Sequence, residues 1–326
     1  MPLLPVPEYR PPFPFTSGHL QTIFPTFLRK TPPTDPIRER LELPDGDFID
    51  IDWHYSRTSS CRGLVVVSHG LEGHSRKKYP LGMARCLSAH GWDVICLNFR
   101  CCSGEPNRLP RFYHSGVTDD LHSVLCHGLR KGYERAALVG FSMGGNQTLK
   151  YLGENPSLVP AEVVAAVVFS VPCRLDDAVL VMDKPSNRPY MHYFMKGLRA
   201  KIREKADRFP ELIDTEGLDQ MITFAPFDNK YTAPLHGFKD ADDYYRRCSS
   251  ATVIGSIQVP ALLVQAQDDP FLPASCYPVH EAENNGNFHL EITDFGGHVG
   301  FMGGWTGQHY WSELRALSFI EEISGN

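Results

Sequence analysis

Short apolar runs alternate with amphipathic stretches along most of the chain. Runs rich in Val, Ile, Leu and Ala predict buried strands at residues 64–68, 92–99, 136–139, 163–171, 261–265 and 288–292. Apolar residues spaced three or four apart predict helices at residues 80–90, 119–129 and 311–323. Near-continuous apolar strands separated by helices are typical of parallel sheets that are covered on both faces. The sequence therefore predicts an α/β fold with a mostly parallel central sheet.

The N-terminal region departs from this alternation. Residues 40–43 and 48–53 alternate apolar and polar side chains around Pro44-Asp45-Gly46-Asp47, which predicts a β-hairpin at one edge of the sheet. Residues 1–36 are rich in proline, and this composition favours an extended arm laid over the domain rather than a helix.

Residues 174–250 are richer in charged and aromatic side chains and contain no strong strand pattern. Helical periods at 193–206 and 212–222 predict a helical insertion between two strands of the sheet. Its length favours a cap over a functional site, and an ordinary pair of crossover helices is the alternative. We therefore expect an arm at 1–36, an α/β core at 37–173 and 251–326, and a helical cap at 174–250.

Composition narrows the class of protein. A chain of 326 residues with 42% hydrophobic and 21% charged residues is long enough for one large domain with an insertion, or for two small domains. The net charge of −6 and the short basic tract Arg76-Lys77-Lys78 argue against a nucleic-acid partner. Nine scattered cysteines, most of them in apolar runs, indicate a reducing compartment. Without a signal peptide or a run of about 18 apolar residues, we expect a soluble, cytoplasmic protein with no integral membrane segment.

The segment Gly140-Phe141-Ser142-Met143-Gly144 carries the main chemical signal. It lies between an apolar strand and a predicted helix, which is the context expected of a nucleophile elbow. A serine at such a tight turn needs small neighbours, and Gly140 and Gly144 supply that clearance. We therefore predict that Ser142 is a catalytic nucleophile; an ordinary glycine-rich turn is the alternative interpretation.

A nucleophilic serine needs a base and a residue that orients the base. Two later strands end in suitable residues, Asp269 and His298, which gives the chain order serine, aspartate, histidine expected of this scaffold. Asp268 and Asp294 are the competing acids, and Asp269 before a proline has a turn role as its alternative. His298 has a substrate-binding or structural role as its alternative.

The oxyanion formed during acyl transfer needs two backbone N–H donors. Met143, directly after the nucleophile, is one candidate. Leu71 is the other, in the close-approach loop His69-Gly70-Leu71-Glu72-Gly73, where His69 and Gly70 support the site. His69 and His74 have no third ligand nearby, so we expect neither a metal nor another cofactor.

Blocks of sequence spread over nearly the whole chain match one known family. They are Gly18-His19-Leu20-Gln21-Thr22, Leu43 to Phe48, His69 to Gly73, Asn98-Phe99-Arg100, Cys102 to Arg108, Tyr113-His114-Ser115-Gly116, Gly140 to Asn146, Asp242 to Tyr245, Asp268 to Phe271 and Gly296 to Phe301. On these blocks the chain resembles the YheT-like branch of the α/β-hydrolase superfamily, which is related to eukaryotic abhydrolase-domain esterases and lipases. The resemblance implies an α/β-hydrolase fold, a Ser/Asp/His charge relay and esterase-type activity.

The chain departs from the family pattern in two places. Cys101 stands where the family usually has glycine. Many eukaryotic relatives carry an N-terminal membrane segment; we expect none in this chain, and we therefore expect it to fit the soluble bacterial branch better. Arg100 and His114, with Asn107 and Arg108, belong to a polar loop that either braces the site by hydrogen bonds or contacts substrate or lid.

Together these signals predict a serine carboxylesterase of lipid metabolism that cleaves small acyl esters through an acyl-enzyme on Ser142. Acyl transfer to an alcohol and a non-catalytic binding protein on the same fold are the alternatives. Met182, Tyr190, Tyr193, Phe194 and Met195 in the insertion suit an apolar acyl pocket or a helical core equally well. The acyl chain, the alcohol and the oligomeric state stay open.

Overall fold

The computed structural model of the protein describes residue 4, residues 9–303 and residues 309–325. An eight-stranded sheet runs through its centre in the order β1-β2-β4-β3-β5-β6-β7-β8. The strands are β1 (Ile37–Glu42), β2 (Phe48–His54), β3 (Gly63–Ser68), β4 (Trp92–Leu97), β5 (Ala136–Phe141), β6 (Val163–Phe169), β7 (Ala261–Ala266) and β8 (Phe288–Thr293).

The α-helices lie between and after these strands. They are α1 (Gly18–Phe27), α2 (Lys78–Ala89), α3 (Thr118–Leu129), α4 (Met143–Glu154), α5 (Leu175–Met182), α6 (Arg188–Arg208), α7 (Phe224–Phe227), α8 (Ala233–Leu235), α9 (Ala241–Cys248), α10 (Val279–Asn284) and α11 (Trp311–Ser324). A π-helical turn, Asp228–Thr232, connects α7 to α8.

Strands β3 to β8 pair in parallel, and the hairpin β1–β2 joins β4 in antiparallel register. Both the parallel sheet and the edge hairpin confirm the predictions from the sequence. Alternate residues of the buried strands enter two cores. Leu138 packs with α3 and α4 on one face, and Val139 packs with α2 and α11 on the other. Because β5 is central and β7 and β8 run parallel to it, their carboxyl ends lie at one edge of the sheet.

The segment between β6 and β7 contains helices and turns but no strand. The helical period predicted at 193–206 lies within α6. The helix predicted at 212–222 is wrong, because this stretch contains only the short 3₁₀ turn Leu218–Gln220. Asp214 Oδ1 accepts a hydrogen bond from the Glu216 N–H, and Gly217 has φ +72°. The side-chain hydrogen bond takes up a backbone N–H, and the left-handed conformation of Gly217 turns the chain, so a helix does not extend through this stretch.

The prediction of an extended arm over residues 1–36 is wrong for Gly18–Phe27, which forms α1. Tertiary packing overrides the proline content, and Pro25 is itself buried within the helix. Residues 1–3 and 5–8 of the predicted arm lie outside the described residues.

A buried ionic cluster fastens the edge hairpin to the helical layer. The guanidinium of Arg100 makes two hydrogen bonds, of 2.9 and 2.7 Å, with the Asp120 carboxylate of α3. It also contacts Asp45 and Asp47 of the β1–β2 turn at 2.7 and 3.2 Å. Arg100 and Asp120 are both buried, so each charge needs the other as its hydrogen-bonded partner to offset the cost of removing it from water.

We expect Asp120→Ala to lower the free energy of unfolding by about 3 kcal/mol, because it removes a buried partner of a buried cation. The neighbouring exposed Asp119 is the matched control, and Asp119→Ala should change this free energy by less than about 1 kcal/mol. Urea denaturation followed by circular dichroism measures both. Equal losses for the two variants would contradict the role given to the cluster.

Candidate active site

Ser142 lies in the sharp turn between β5 and α4. Its backbone has φ +53° and ψ −118°, a conformation that non-glycine residues rarely adopt. A Cβ atom at Gly144 would lie 2.5 Å from the carbonyl oxygen of His69, and one at Gly140 would lie 2.6 Å from that of Gly144. The turn therefore requires glycine at both positions, and it holds the Ser142 hydroxyl at the carboxyl end of the sheet.

The structure brings Ser142, His298 and Asp269 into one hydrogen-bonded chain. Ser142 Oγ lies 2.8 Å from His298 Nε2, and His298 Nδ1 lies 2.9 Å from Asp269 Oδ2. Asp268 instead accepts the N–H of Gly297 at 2.8 Å. Asp294 is exposed. Of the three candidate acids, Asp269 is therefore the one in contact with the imidazole.

Two residues that the sequence interpretation missed hold the His298 loop. The N–H of His298 donates to Thr22 Oγ1 of α1 at 2.9 Å, and the N–H of Val299 donates to Ser170 Oγ after β6, also at 2.9 Å. Gly297 and Val299 have φ +55° and +65°, so these anchors hold a backbone that bends sharply. The available signals were the block at 18–22 and the position of Ser170 at a strand's carboxyl end.

The loop after β3 lies directly against Ser142. A Cβ atom at Gly70 would lie 3.2 Å from Ser142 Cβ, and the Gly70 N–H donates to the Tyr79 hydroxyl at 2.8 Å. Leu71 and Met143 line the same cavity as Ser142. In the described part of the chain, the backbone N–H groups of these two residues donate no hydrogen bond. Both are therefore available for a ligand oxygen.

Glu72 connects this loop to the helical insertion and was also missed from the sequence. Its carboxylate accepts Lys201 Nζ of α6 at 2.8 and 2.7 Å, and it accepts the Tyr113 hydroxyl as well. Glu72 has φ +53°, another strained backbone position. The ion pair therefore ties a cap helix to the segment that presents the Leu71 N–H.

His69 and Arg100 support the site from behind. His69 Nδ1 lies 2.7 Å from the Gly70 carbonyl oxygen, and its Nε2 accepts the Phe99 N–H at 3.2 Å. Burial lowers the pKa of His69 to about 3, so the ring is neutral. Its two hydrogen bonds hold the loop after β3 in place. Arg100 contacts the three aspartates of its ionic cluster. Of its two predicted roles, bracing by hydrogen bonds and contact with substrate or lid, this arrangement corresponds to bracing.

An apolar cavity extends from Ser142 beneath the helical insertion. Its walls come from both layers: Leu71, Met143, Leu175, Val179, Met182, Phe194, Leu198, Phe224, Phe271 and Leu272. Met182 and Phe194 thus face the cavity, as the acyl-pocket alternative requires. Met195 is buried in the main core, as the helical-core alternative requires.

The wall of this cavity also has a polar region. Asp228 accepts the Tyr245 hydroxyl at 2.6 Å and the Thr232 hydroxyl at 2.5 Å. Burial raises the pKa of Asp228 to about 6. His114 also lines the cavity, and burial holds its pKa well below the usual value. Carboxyl, hydroxyl and imidazole groups therefore interrupt an otherwise apolar wall.

A second, wider cleft also reaches Ser142 and His298, and it shares Leu71, Phe194 and Phe271 with the apolar cavity. Helix α1, the segment 70–79 and the start of α6 line it, with Tyr190, Tyr193 and Phe194 on the α6 wall. The Ser142 hydroxyl therefore lies where the apolar cavity and the wider cleft meet.

Neither metal ligation nor membrane crossing is indicated within the described residues. No three His, Cys, Asp or Glu side chains of residues 9–303 and 309–325 form a group that could hold a metal ion. No helix in that part of the chain is long and apolar enough to span a bilayer. All nine cysteines are free thiols, and six of them are buried.

Comparison with known proteins places these features in context. Residues 63–208 match the family model of the alpha/beta hydrolase fold. The chain is 36% identical to the Escherichia coli protein named "Putative esterase YheT", over 91% of this chain and 88% of that protein. It is 29% identical to human "Phospholipase ABHD3", over 94% of this chain and 76% of that protein.

Among solved structures, the esterase Pf2001 of Pyrococcus furiosus superposes with a TM-score of 0.57 at 17% sequence identity. The match covers 90% of this chain and 94% of that one. At this level of identity the similarity shows a shared fold alone.

The buried carboxyl of Asp228 makes stability depend on pH. Its pKa of about 6 exceeds the value of about 4 in an unfolded chain, so between these values the folded protein binds more protons. We therefore expect the free energy of unfolding of wild type to fall, relative to that of Asp228→Asn, by up to about 3 kcal/mol as the pH rises from about 4 to about 6. Urea denaturation across this window measures the difference.

The control is Asp207→Asn, which changes an exposed aspartate of α6 and should keep the wild-type pH dependence. A constant difference between wild type and Asp228→Asn from pH 4 to pH 6 would contradict the burial argument.

Proposed function

The chain belongs to the α/β-hydrolase family, among its esterase- and lipase-type members, and from this premise we propose that it is a serine carboxylesterase. The observation that carries the proposal is the hydrogen-bonded chain from Ser142 Oγ through the imidazole of His298 to Asp269. It stands at the mouth of an apolar cavity, beside two unoccupied backbone donors. In this assignment Ser142 is the nucleophile, His298 the general base and acid, and Asp269 the group that orients the imidazole.

In the first half-reaction, Ser142 Oγ attacks the ester carbonyl carbon while His298 Nε2 takes the hydroxyl proton. The carbonyl oxygen becomes an oxyanion, which the N–H groups of Leu71 and Met143 stabilise. The carbon–oxygen bond to the alcohol then breaks, and the imidazolium returns its proton to the departing alkoxide. Asp269 holds the Nδ1–H tautomer and stabilises the imidazolium.

In the second half-reaction, water attacks the acyl-enzyme with His298 again as base. The bond to Ser142 Oγ breaks, the serine recovers its proton and the carboxylic acid leaves. Every proton moves between water, the ester and this chain's own side chains, so neither half-reaction requires a cofactor.

The two cavities support an assignment of substrate parts. We assign the acyl chain to the apolar cavity and the alcohol part to the wider cleft. Residues 174–250 act as the cap, since α5, α6 and α7 supply most of the apolar wall. The phospholipase name of the human relative extends the candidate substrates to lipid esters. The nine free thiols support a cytoplasmic location.

A fluorophosphonate probe tests the nucleophile. We expect wild type to be labelled and Ser142→Ala not to be, because the probe needs an activated hydroxyl. Ser115 also lines the cavity and gives the matched control, so Ser115→Ala should retain labelling. Mass spectrometry of the labelled peptide reads out the site, and labelling of Ser142→Ala would reject the assignment.

The adjacent aspartates provide a matched pair for the third group. We expect Asp269→Asn to lower kcat for p-nitrophenyl ester hydrolysis by about 10³–10⁴, because an amide at this position favours the wrong imidazole tautomer. Asp268→Asn should lower kcat by less than about tenfold, since asparagine Oδ1 still accepts the Gly297 N–H. A larger loss in Asp268→Asn than in Asp269→Asn would exchange their roles.

A further inference from the structure

Helix α1 has the reverse of the usual polarity of a surface helix. Its buried face consists of Gly18, Gln21, Thr22 and Pro25. Apart from Phe24, which is half-buried against Phe15, its large apolar residues point outward instead. Leu20, Ile23 and Phe27, with the C-cap residue Leu28, are 44%, 43%, 63% and 67% exposed. We call these four residues the α1 stripe; their spacing of three, four and one residues places them along one side of the helix.

The buried face of α1 is explained by the loop that carries His298. A Cβ atom at Gly297 would lie 2.4 Å from the Gly18 carbonyl oxygen, and one at Gly300 would lie 2.4 Å from that of Gln21. Such close approach of two backbones requires small or hydrogen-bonding residues on the inner face. It places no demand on the outer face, so packing among residues 9–303 and 309–325 does not account for the α1 stripe. Clustered apolar residues on a surface indicate an interaction site.

The α1 stripe borders the wider cleft that leads to Ser142. Ile23 and Phe27 line this cleft together with Ser142 and His298. Whatever covers the stripe therefore also faces the entrance through which a ligand reaches the hydroxyl.

The charge around this entrance is positive, although the whole chain carries −6. Lys77 Nζ donates to the Tyr193 hydroxyl at 3.0 Å, and Lys78 Nζ donates to the Phe27 carbonyl oxygen at 2.8 Å. Within the described residues, neither ammonium group has a carboxylate within 4.0 Å. The acidic residues of the cleft, Glu72 and Glu313, are each neutralised by a cation, Lys201 and Arg29 respectively.

Apolar residues flanked by uncompensated lysines fit a surface that is apolar within and anionic at its boundary. We propose that the α1 stripe docks the protein on an anionic lipid surface, with Lys77 and Lys78 contacting the lipid phosphates. A second copy of this chain fits less well, because a symmetric contact would bring the lysines of both copies together. In the docked orientation the cleft opens toward the lipid, so an ester can pass from the bilayer toward Ser142 with little exposure to water. The docking itself is independent of the proposed reaction.

Co-sedimentation of the full chain with vesicles tests the proposal. We expect wild type to bind vesicles of phosphatidylcholine with phosphatidylglycerol more tightly than vesicles of phosphatidylcholine alone, with binding weakened by added salt. The double variant Leu20→Gln/Leu28→Gln should bind about tenfold less, or weaker still. The matched control Leu158→Gln/Leu212→Gln, at positions 61% and 66% exposed outside α1, should bind like wild type. Lys77→Gln/Lys78→Gln should reduce the preference for anionic vesicles.

Two further measurements separate this proposal from the proposed function. Leu20 and Leu28 do not line the cleft, so their variant should hydrolyse a water-soluble p-nitrophenyl ester at the wild-type rate, which also reports correct folding. Ser142→Ala should bind vesicles like wild type. If the protein proved to have no esterase activity, the expected vesicle binding of Ser142→Ala would still hold.

Equal vesicle binding by wild type and Leu20→Gln/Leu28→Gln would overturn the proposal, as would absence of binding to anionic vesicles. Analytical ultracentrifugation tests the alternative that a second copy of this chain covers the α1 stripe. A wild-type dimer that becomes a monomer in the stripe variant, without vesicle binding by wild type, would assign the stripe to a second copy of the chain.

Discussion

The 2.8 Å contact between Ser142 Oγ and His298 Nε2 is the constraint on which the rest of the structure depends. The two residues are 156 positions apart in sequence, so the contact exists only while β5 and β8 keep their places in one parallel sheet. A strained backbone at Ser142 and sharp bends around His298 direct the two side chains toward each other. Thr22 and Ser170 hold those bends by accepting backbone N–H groups.

The helical insertion is joined to the same machinery. Helix α6 contributes Phe194 and Leu198 to the cavity wall and also places Lys201 on Glu72. Further along the helix, Lys205 Nζ donates to the Asn107 carbonyl oxygen at 2.7 Å. The residues that shape the cavity and the loop that presents the Leu71 N–H are therefore parts of one packed unit. The Lys201–Glu72 ion pair and the hydrogen bond from Lys77 to Tyr193 both join α6 to the segment beside Ser142.

Helix α1 has a different task on each of its faces. Its inner face gives Thr22 to the His298 loop and allows two backbones to approach closely. Its outer face leaves the α1 stripe uncovered at the entrance of the cleft. Because one short helix serves both, the proposed docking surface is held in a fixed relation to the hydroxyl that it would supply with substrate.

The sequence by itself determined the local features of this protein. Apolar runs located the strands, the turn chemistry predicted the edge hairpin, and the glycines around Ser142 indicated a tight turn, since each depends on neighbouring residues alone. The apolar periodicity at 212–222 wrongly predicted a helix, because a turn at Asp214 forms there instead. The proline content of residues 1–36 wrongly predicted an extended arm at α1, because tertiary packing stabilises a helix there. Only the tertiary structure decided that Asp269 rather than Asp268 reaches the imidazole, and that Lys201 meets Glu72 from 129 residues away. Such contacts depend on how distant segments pack, and no local pattern encodes that geometry.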